Sequence, residues 1–481
     1  MKENTARAKR MPSVFEAYLT IVVMLVIIGG GVGVLGMDLK MMLIVCTVFN
    51  TVMGTVCGYT WKDMENGVVR KITSMGGCFL ILLGIGFLVG TFMMSGTLPV
   101  LVSWLAGLIS PKIIILLSFV LCGILSICIG SSFAAMGTLG VVMFSVASVQ
   151  GLPVGPTAAA VICGCWLGQY ISPVADIVNC AASCSNITTN EYMKQMMLPF
   201  GISTGLTLVF FVVIGVMNGG SASVEALAGV TAFVNDVSAN FNTSIVVILP
   251  LVVAIVLSLL KVNTIIVLFG SGFLALFLGV LLQGFDLTAC IGAAYSGFST
   301  ATFFPDVQMT AELSSLLNRG GIFSMGDSVL FLLCALACVG TMDVIGVFDV
   351  VQRTLFRDTK NAGKLHLIST AAMLLFGLCT ADPYPPAIVG PDLLKKPFVK
   401  AGYDPKKAAV VSMGCGLLTT MCLPWSFCAW YSGNIYGASI GQYFPYAPIF
   451  WLVPVVTLVL SFFNIGCPKL PADYAEEAEE V

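Results

Sequence analysis

Charge is what this sequence has least of. Only 10% of its 481 residues are Asp, Glu, Lys or Arg, against about 25% in an ordinary soluble chain. With 22 basic and 24 acidic residues the net charge is -2, which offers no positive field for DNA or RNA and excludes nucleic-acid partners. No G-x-x-x-x-G-K-[ST] phosphate loop is present, because the one Gly-Lys pair, Gly363-Lys364, is followed by leucine. ATP therefore does not drive this protein directly. A lone histidine, His366, leaves an intramembrane serine hydrolase without a base, and no H-E-x-x-H motif exists. The chain is not expected to be an enzyme. His366 reads instead as an interfacial residue near Lys364. The 17 cysteines lack both the paired spacings of a zinc site and the density of a disulfide scaffold. Cys46, Cys122, Cys163 and Cys334 read as small buried apolar residues.

What is present is hydrophobicity: 58% of the chain is apolar or aromatic. A membrane-spanning helix needs about 20 predominantly apolar residues, and runs of that kind predict helices at 15–36, 40–59, 74–95, 112–130, 131–149, 155–172, 196–217, 244–260, 263–284, 288–303, 322–347, 365–381, 384–393, 405–421, 424–440 and 446–465. The polar stretches 61–73, 218–243, 351–364 and 394–407 read as loops. Several helices are interrupted, at Gly130-Ser131-Ser132, Ser172-Pro173, Asp382-Pro383 and Leu423-Pro424. Broken backbone survives at membrane depth only where it lines protein or a water cavity. The shorter pieces are expected to be re-entrant. The basic start Lys2, Arg7, Lys9, Arg10 runs into an apolar segment too long for a cleavable leader, so that segment reads as an anchor.

The sequence also resembles itself. Ile72 to Gly76 (Ile-Thr-Ser-Met-Gly) matches Ile322 to Gly326 (Ile-Phe-Ser-Met-Gly), an offset of 250 positions that also carries Val89-Gly90-Thr91 onto Val339-Gly340-Thr341. The same offset places Gly164-Cys165 on Gly414-Cys415 and Thr207-Leu208-Val209 on Thr457-Leu458-Val459. Basic residues change sides between the copies. Arg70 and Lys71 precede the first block, whereas Arg353, Arg357, Lys360 and Lys364 follow the second; the stretch 141–157 is uncharged, and its counterpart holds Lys395, Lys396, Lys400, Lys406 and Lys407. Because Lys and Arg mark cytoplasmic loops, the fold class is an all-α polytopic membrane protein with two inverted-topology repeats, broken helices and re-entrant segments. The divisions are a cytoplasmic N-terminus at 1–14, a first repeat at 15–217, a linker with one extra span at 218–262, a second repeat at 263–466 and an acidic tail at 467–481.

Carboxylates inside a membrane are costly and usually face a cavity or a partner. Asp176 follows the Ser172-Pro173 break and precedes Asn179; with Ser172 and Asn179 it forms an oxygen set suited to Na+, the metal-ligating pair being Asp176 and Asn179, and it is equally a proton site. Asp382 sits at a break that the 250 offset carries onto Ser132, as a second cation ligand or a helix N-cap. Asp327 reads as an interfacial cap or a cavity residue, and Asp343 and Asp349 as interfacial. Ser131, Ser132 and Thr138, at a helix break, offer hydroxyls and backbone N–H groups to a substrate, and a small-residue packing role is the alternative. Trp425, Ser426 and Tyr431 are placed to line the same cavity from the second repeat.

Gly-Ser-Ser…Met-Gly-Thr-Leu-Gly at 130–140, Ser-Pro-Val-Ala-Asp-Ile-Val-Asn at 172–179, Leu-Asn-Arg-Gly-Gly at 317–321, Ala-Asp-Pro-Tyr at 381–384, Leu-Pro-Trp-Ser at 423–426 and Phe-Pro-Tyr-Ala at 444–447 resemble the NhaC Na+/H+ antiporter family, in order and over nearly the whole chain. The resemblance implies a secondary transporter of the ion-transporter superfamily, with a rocking or elevator-like alternating-access cycle. Its relatives include Na+/H+ exchangers and malate/lactate antiporters. The chain departs from the family pattern in three places. Ile177 and Val178 stand where relatives carry threonines, Phe133 where they carry tryptophan, and Met413-Gly414-Cys415-Gly416 where they carry an acid. Fewer ion ligands leave room for a small organic acid or amino acid coupled to Na+ or H+, and a passive channel is a remoter alternative. The expected surroundings are the lipid bilayer of a plasma or inner membrane, crossed many times. The expected partner is a small ion or organic solute; Na+ or H+ is the coupling ion, no cofactor is expected, and a homodimer is left open.

Overall fold

The computed structural model describes residues 9–470 apart from 75, 174, 186, 220–223, 261, 311–312, 315–316, 319, 348, 351–353, 355–361, 381–385, 388–389, 405, 424–425, 464 and 466–469. The described chain is helical. Its first half runs α1 (Val14–Ile28, prolonged by a π-helical stretch Gly29–Val34), α2 (Leu39–Val56), α3 (Trp61–Ser74), α4 (Gly76–Met94), α5 (Thr97–Leu108), α6 (Ile114–Ile129), α7 (Ser132–Val149), α8 (Val154–Ile171), α9 (Asp176–Cys184) and α10 (Thr189–Gly219). After α11 (Val224–Asn240) come α12 (Leu249–Leu259), α13 (Thr264–Gln283), α14 (Leu287–Ser296), α15 (Gly326–Ile345), α16 (Ala362–Thr380), α17 (Gly390–Lys400), α18 (Lys406–Cys422), α19 (Phe427–Asn434) and α20 (Pro448–Phe462). Among the described residues, 7 helices are long and apolar enough to cross a membrane, or up to 10 when each bent pair is counted as one span. The protein is a multi-pass membrane protein.

The stretches 61–73, 218–243 and 394–407, expected to be loops, are occupied largely by the helices α3 and α11 and, at 394–400, by the second half of α17. The reason is amphipathicity. In α3 the buried positions Met64 and Gly67 recur at helical spacing while Lys62, Glu65 and Arg70 stay exposed, a pattern that a search for long apolar runs passes over. α5 was not expected either; it follows α4 after a 70° bend at Ser95-Gly96, where Gly96 adopts φ 78. The single span expected at 244–260 is instead part of a pair bent by 102°.

Helix bounds follow the internal repeat. α4 and α15 begin 250 positions apart, at Gly76 and Gly326. α6, α8 and α9 likewise have counterparts in α16, α18 and α19 within about two residues of the same offset. Packing between the halves is reciprocal. α2 runs along α15, where the Asn50 amide donates to the Cys338 carbonyl and the Thr341 hydroxyl, both at 3.3 Å. α13 runs along α4 in the same manner, with Gly84, Gly272 and Gly279 letting Leu268, Phe87 and Met94 approach. α3 then meets α15 at Gly67 and Gly340, as α14 meets α4 at Ala293 and Gly90. Small residues at these crossings bring backbones together where no hydrophobic force distinguishes helix from lipid. The Gly321 N–H donates to the Gly86 carbonyl at 2.8 Å.

A Cβ at Gly90 would lie 2.8 Å from both the Ala293 carbonyl and the Gly321 amide, whereas one at Gly270 meets nothing within 4 Å. Gly90→Ala is expected to destabilise the protein by about 1–3 kcal/mol, the range for overpacking, and Gly270→Ala to be neutral or slightly stabilising. Unfolding temperatures of the purified variants in detergent check the contrast.

Candidate functional site

α6 and α8 lie side by side and run in the same direction, because Gly164 and Gly168 let the α6 backbone at Phe119–Ile127 come close. Their C-terminal ends therefore break at the same level. Two hydroxyls fasten them there: Ser172 donates to the Ile127 carbonyl at 2.6 Å, and Ser126 donates to the Cys165 carbonyl. The α6 break itself is a left-handed turn at Gly130, φ 77, after which Ser131 caps α7 by accepting the Ala134 N–H at 3.4 Å. The Ser132 N–H, which an interrupted helix would leave without an acceptor, donates to Gln169 Oε1 of α8 at 3.0 Å. Within α7 the segment Met136–Gly140 is π-helical, and Thr138 commits its proton to the Ala134 carbonyl at 2.7 Å. Ser132 and Thr138 are buried and Ser131 half-buried.

The second half closes over this region. Phe133 lies with its ring centroid 5.8 Å from Trp166 and 5.3 Å from Tyr431. The Trp166 Nε1–H donates to the Ser432 hydroxyl at 3.1 Å, and the Tyr436 hydroxyl to the Met136 carbonyl at 3.1 Å. α19 is thus bound to α7 and α8. It also runs antiparallel to α15: Trp430 stacks on Phe331 at 4.6 Å, and the Asn434 amide reaches the Ser328 hydroxyl at 3.4 Å. Extending that register by one turn sets Ser426, the residue before α19, beside the middle of the 20-residue α15. At about 1.5 Å per residue, this is near half-depth. Ser426 and Ser132 are fully buried, and neither hydroxyl has a hydrogen-bond partner among the described groups.

The remaining sequence candidates divide. Asp176 is the first residue of α9, which packs against α17 and α18 of the second half. Asn179 turns its amide back on the break, donating to the Pro173 and Ala175 carbonyls at 3.2 and 3.1 Å, while its Oδ1 accepts the Thr189 hydroxyl at 2.8 Å. Asp382 and Trp425 lie outside the described residues. Asp327 is exposed and pairs with Lys40 at 2.7 Å, which places it on the surface, and Asp343 is exposed as well. His366 lies near the start of α16, two residues after Lys364, and is buried, edge-on to Phe398 at 5.0 Å between ring centroids. The four cysteines named above are buried. Sequence reasoning missed Gln169, Trp166, Ser432 and Tyr436. Only Gln169, an amide inside an apolar run, carried a signal that points to a buried polar role.

Residues 164–465, from the middle of α8 to the end of α20, match the Na+/H+ antiporter family. The chain belongs to that family. It is similar over nearly its whole length to a Haemophilus influenzae protein described as an uncharacterized Na+/H+ antiporter, at 27% identity over 467 residues, covering 97% of this chain and 99% of that one. It is also similar to the malate-2H+/Na+-lactate antiporter of Bacillus subtilis, 28% over 457 residues and 95% and 94% of the two chains. The Na+/H+ antiporter NhaC of Alkalihalophilus pseudofirmus is 26% identical over 450 residues, 93% and 95%. The matched region of this antiporter-family member contains the breaks at 172–175 and 423–426, so the family signature spans both interruptions.

Gln169→Leu would leave the buried Ser132 N–H without its acceptor. A loss of about 1–3 kcal/mol of stability is expected, read as a lower unfolding temperature in detergent. Unchanged stability would mean that this bond does not hold the break.

Proposed function

We propose that this member of the Na+/H+ antiporter family is a secondary active transporter, and not an enzyme, that uses a Na+ or H+ gradient and works by alternating access. The observation that carries the reading is the pair of interruptions at matching positions, between α8 and α9 after Ile171 and between α18 and α19 after Cys422, where Ser172, Leu423 and Ser426 are buried. Folds with such half-helices place ions and substrate between repeats. The constant offset of helix bounds and the reciprocal packing of α2 and α3 on α15, and of α13 and α14 on α4, support two repeats related by a pseudo-two-fold axis. The reversed loop charges support an inverted relation.

In this reading Asp176 and Asp382 hold the coupling ion, with Ser172 and the backbone it fastens close by. Asn179 acts by keeping the carbonyls of 173 and 175 in place. Ser131, Ser132, Thr138, Trp425 and Ser426 line the solute's position. A plasma or inner membrane is the proposed location. Exchange of an organic acid against the ion is a second reading, favoured by the relative named as a malate-2H+/Na+-lactate antiporter and by the apolar residues Ile177 and Val178 after Asp176.

Asp176→Asn is expected to abolish Na+-dependent proton flux, or solute flux driven by either ion, in proteoliposomes while the protein stays monodisperse. Undiminished flux would remove Asp176 from the coupling site.

A further inference from the structure

Two buried serines stand at the starts of two neighbouring helices, and neither hydroxyl has a hydrogen-bond partner among the described residues. Ser132 is the first residue of α7, and Ser426 occupies the N-cap position of α19 without making a side-chain cap bond. The helices run in the same direction. Phe133 meets Tyr431, and further along α7 the Met136 carbonyl meets Tyr436 in the turn just past the end of α19. Their N-terminal ends therefore face the same side of the bundle, with Ser426 about one turn, roughly 6 Å, ahead of Ser132. Helix N-termini present N–H groups and the positive end of the helix dipole, which favours an anion and disfavours a cation. A serine hydroxyl kept fully buried without a partner is costly, and an oxyanion accepting from it removes that cost.

The internal repeat sharpens the contrast. The offset of 250 carries Ser132 to position 382 and Ser426 to position 176, and both of those residues are aspartates. One pair of related positions is made of hydroxyls and the other of acids. A two-fold relation between the halves would generate two similar sites, and the sequence has given them opposite preferences: carboxylates for a cation, serines at helix N-termini for an anion.

We infer that the N-terminal ends of α7 and α19, with the hydroxyls of Ser132 and Ser426, form the subsite for a carboxylate group of the transported solute. The inference rests on the antiport reading above and adds to it the chemical class of the cargo: a small organic anion, accompanied by the cation rather than replaced by it in the family's exchange.

The test uses the full-length protein purified in detergent, with acetate, L-lactate and L-malate as sodium salts at matched Na+, and lactamide as the uncharged counterpart of lactate. At least one carboxylate is expected to raise the unfolding temperature saturably, with lactamide inert. Ser426→Ala and Ser132→Ala should each raise its half-saturating concentration about tenfold or more, as expected for losing a hydrogen bond to a charged group, and Ser426→Thr should restore it. No stabilisation by any of the three, equal stabilisation by lactamide, or unchanged affinity in both alanine variants overturns the proposal. If the alanine variants do not fold, the comparison of lactate, malate and acetate with lactamide in the unaltered protein still decides. Ion-driven flux in proteoliposomes separates the two claims. Flux without carboxylate binding overturns the subsite alone; carboxylate binding without any Na+- or H+-driven flux overturns the antiport reading.

Discussion

The constraint behind this structure is the demand that every backbone N–H and C=O at membrane depth find a partner inside the protein. A continuous helix meets it at no further cost; an interrupted helix does not. At the ends of α6 and α8 the demand is met by three side chains in a small volume: Ser126 and Ser172 bond between α6 and α8, and Gln169 accepts the Ser132 N–H of α7. At the start of α9 it is met by Asn179. These residues allow the chain to stop being helical inside the bundle without leaving the broken ends unpaired. The glycines along α8 serve the same end, since Gly164 and Gly168 bring α6 close enough for the serine bonds to form.

The reciprocal clasp of the halves follows from a related limit. Apolar side chains gain little by moving from lipid to protein, so helices hold one another through close backbone approach and a few polar contacts. Asn50 between α2 and α15, and Gly90 against Ala293 and Gly321, are contacts of that kind. Each half supplies the helices that embrace the central helix of the other. The breaks of α6 and α8 in the first half and of α18 in the second thereby come together along α7, α8 and α19, where Phe133, Trp166 and Tyr431 pack.

Much of the fold was legible because hydrophobic length and the 250 offset are properties of the sequence alone. The positions of the breaks at Gly130, at Ser172 and between Cys422 and Phe427 were legible for the same reason: glycine, proline and serine are unlike their apolar surroundings. α3, α5, α11 and α17 were not, since amphipathic or short helices beside a bend carry no long apolar run. Of the site, Ser132, Ser172 and Ser426 could be named as polar atoms at breaks. That Ser172 spends its proton on Ile127 and Asn179 turns toward Pro173, while the Ser132 and Ser426 hydroxyls find no partner among the described residues, depends on which helices become neighbours. The burial of His366 was not legible, because a single residue near a lysine says nothing of Phe398, 32 positions away, packing over it.

The central claim is that the halves are copies facing opposite ways across the membrane. Pro153, exposed in the turn before α8, and Tyr403, in the turn before α18, stand 250 positions apart. With the native cysteines replaced and a single cysteine introduced by Pro153→Cys or Tyr403→Cys, a membrane-impermeant maleimide applied to sealed, oriented vesicles reports the side on which each turn lies. Labelling of the two from opposite sides is the predicted result. Labelling of both from the same side would contradict the inverted relation and with it the shared site between the halves.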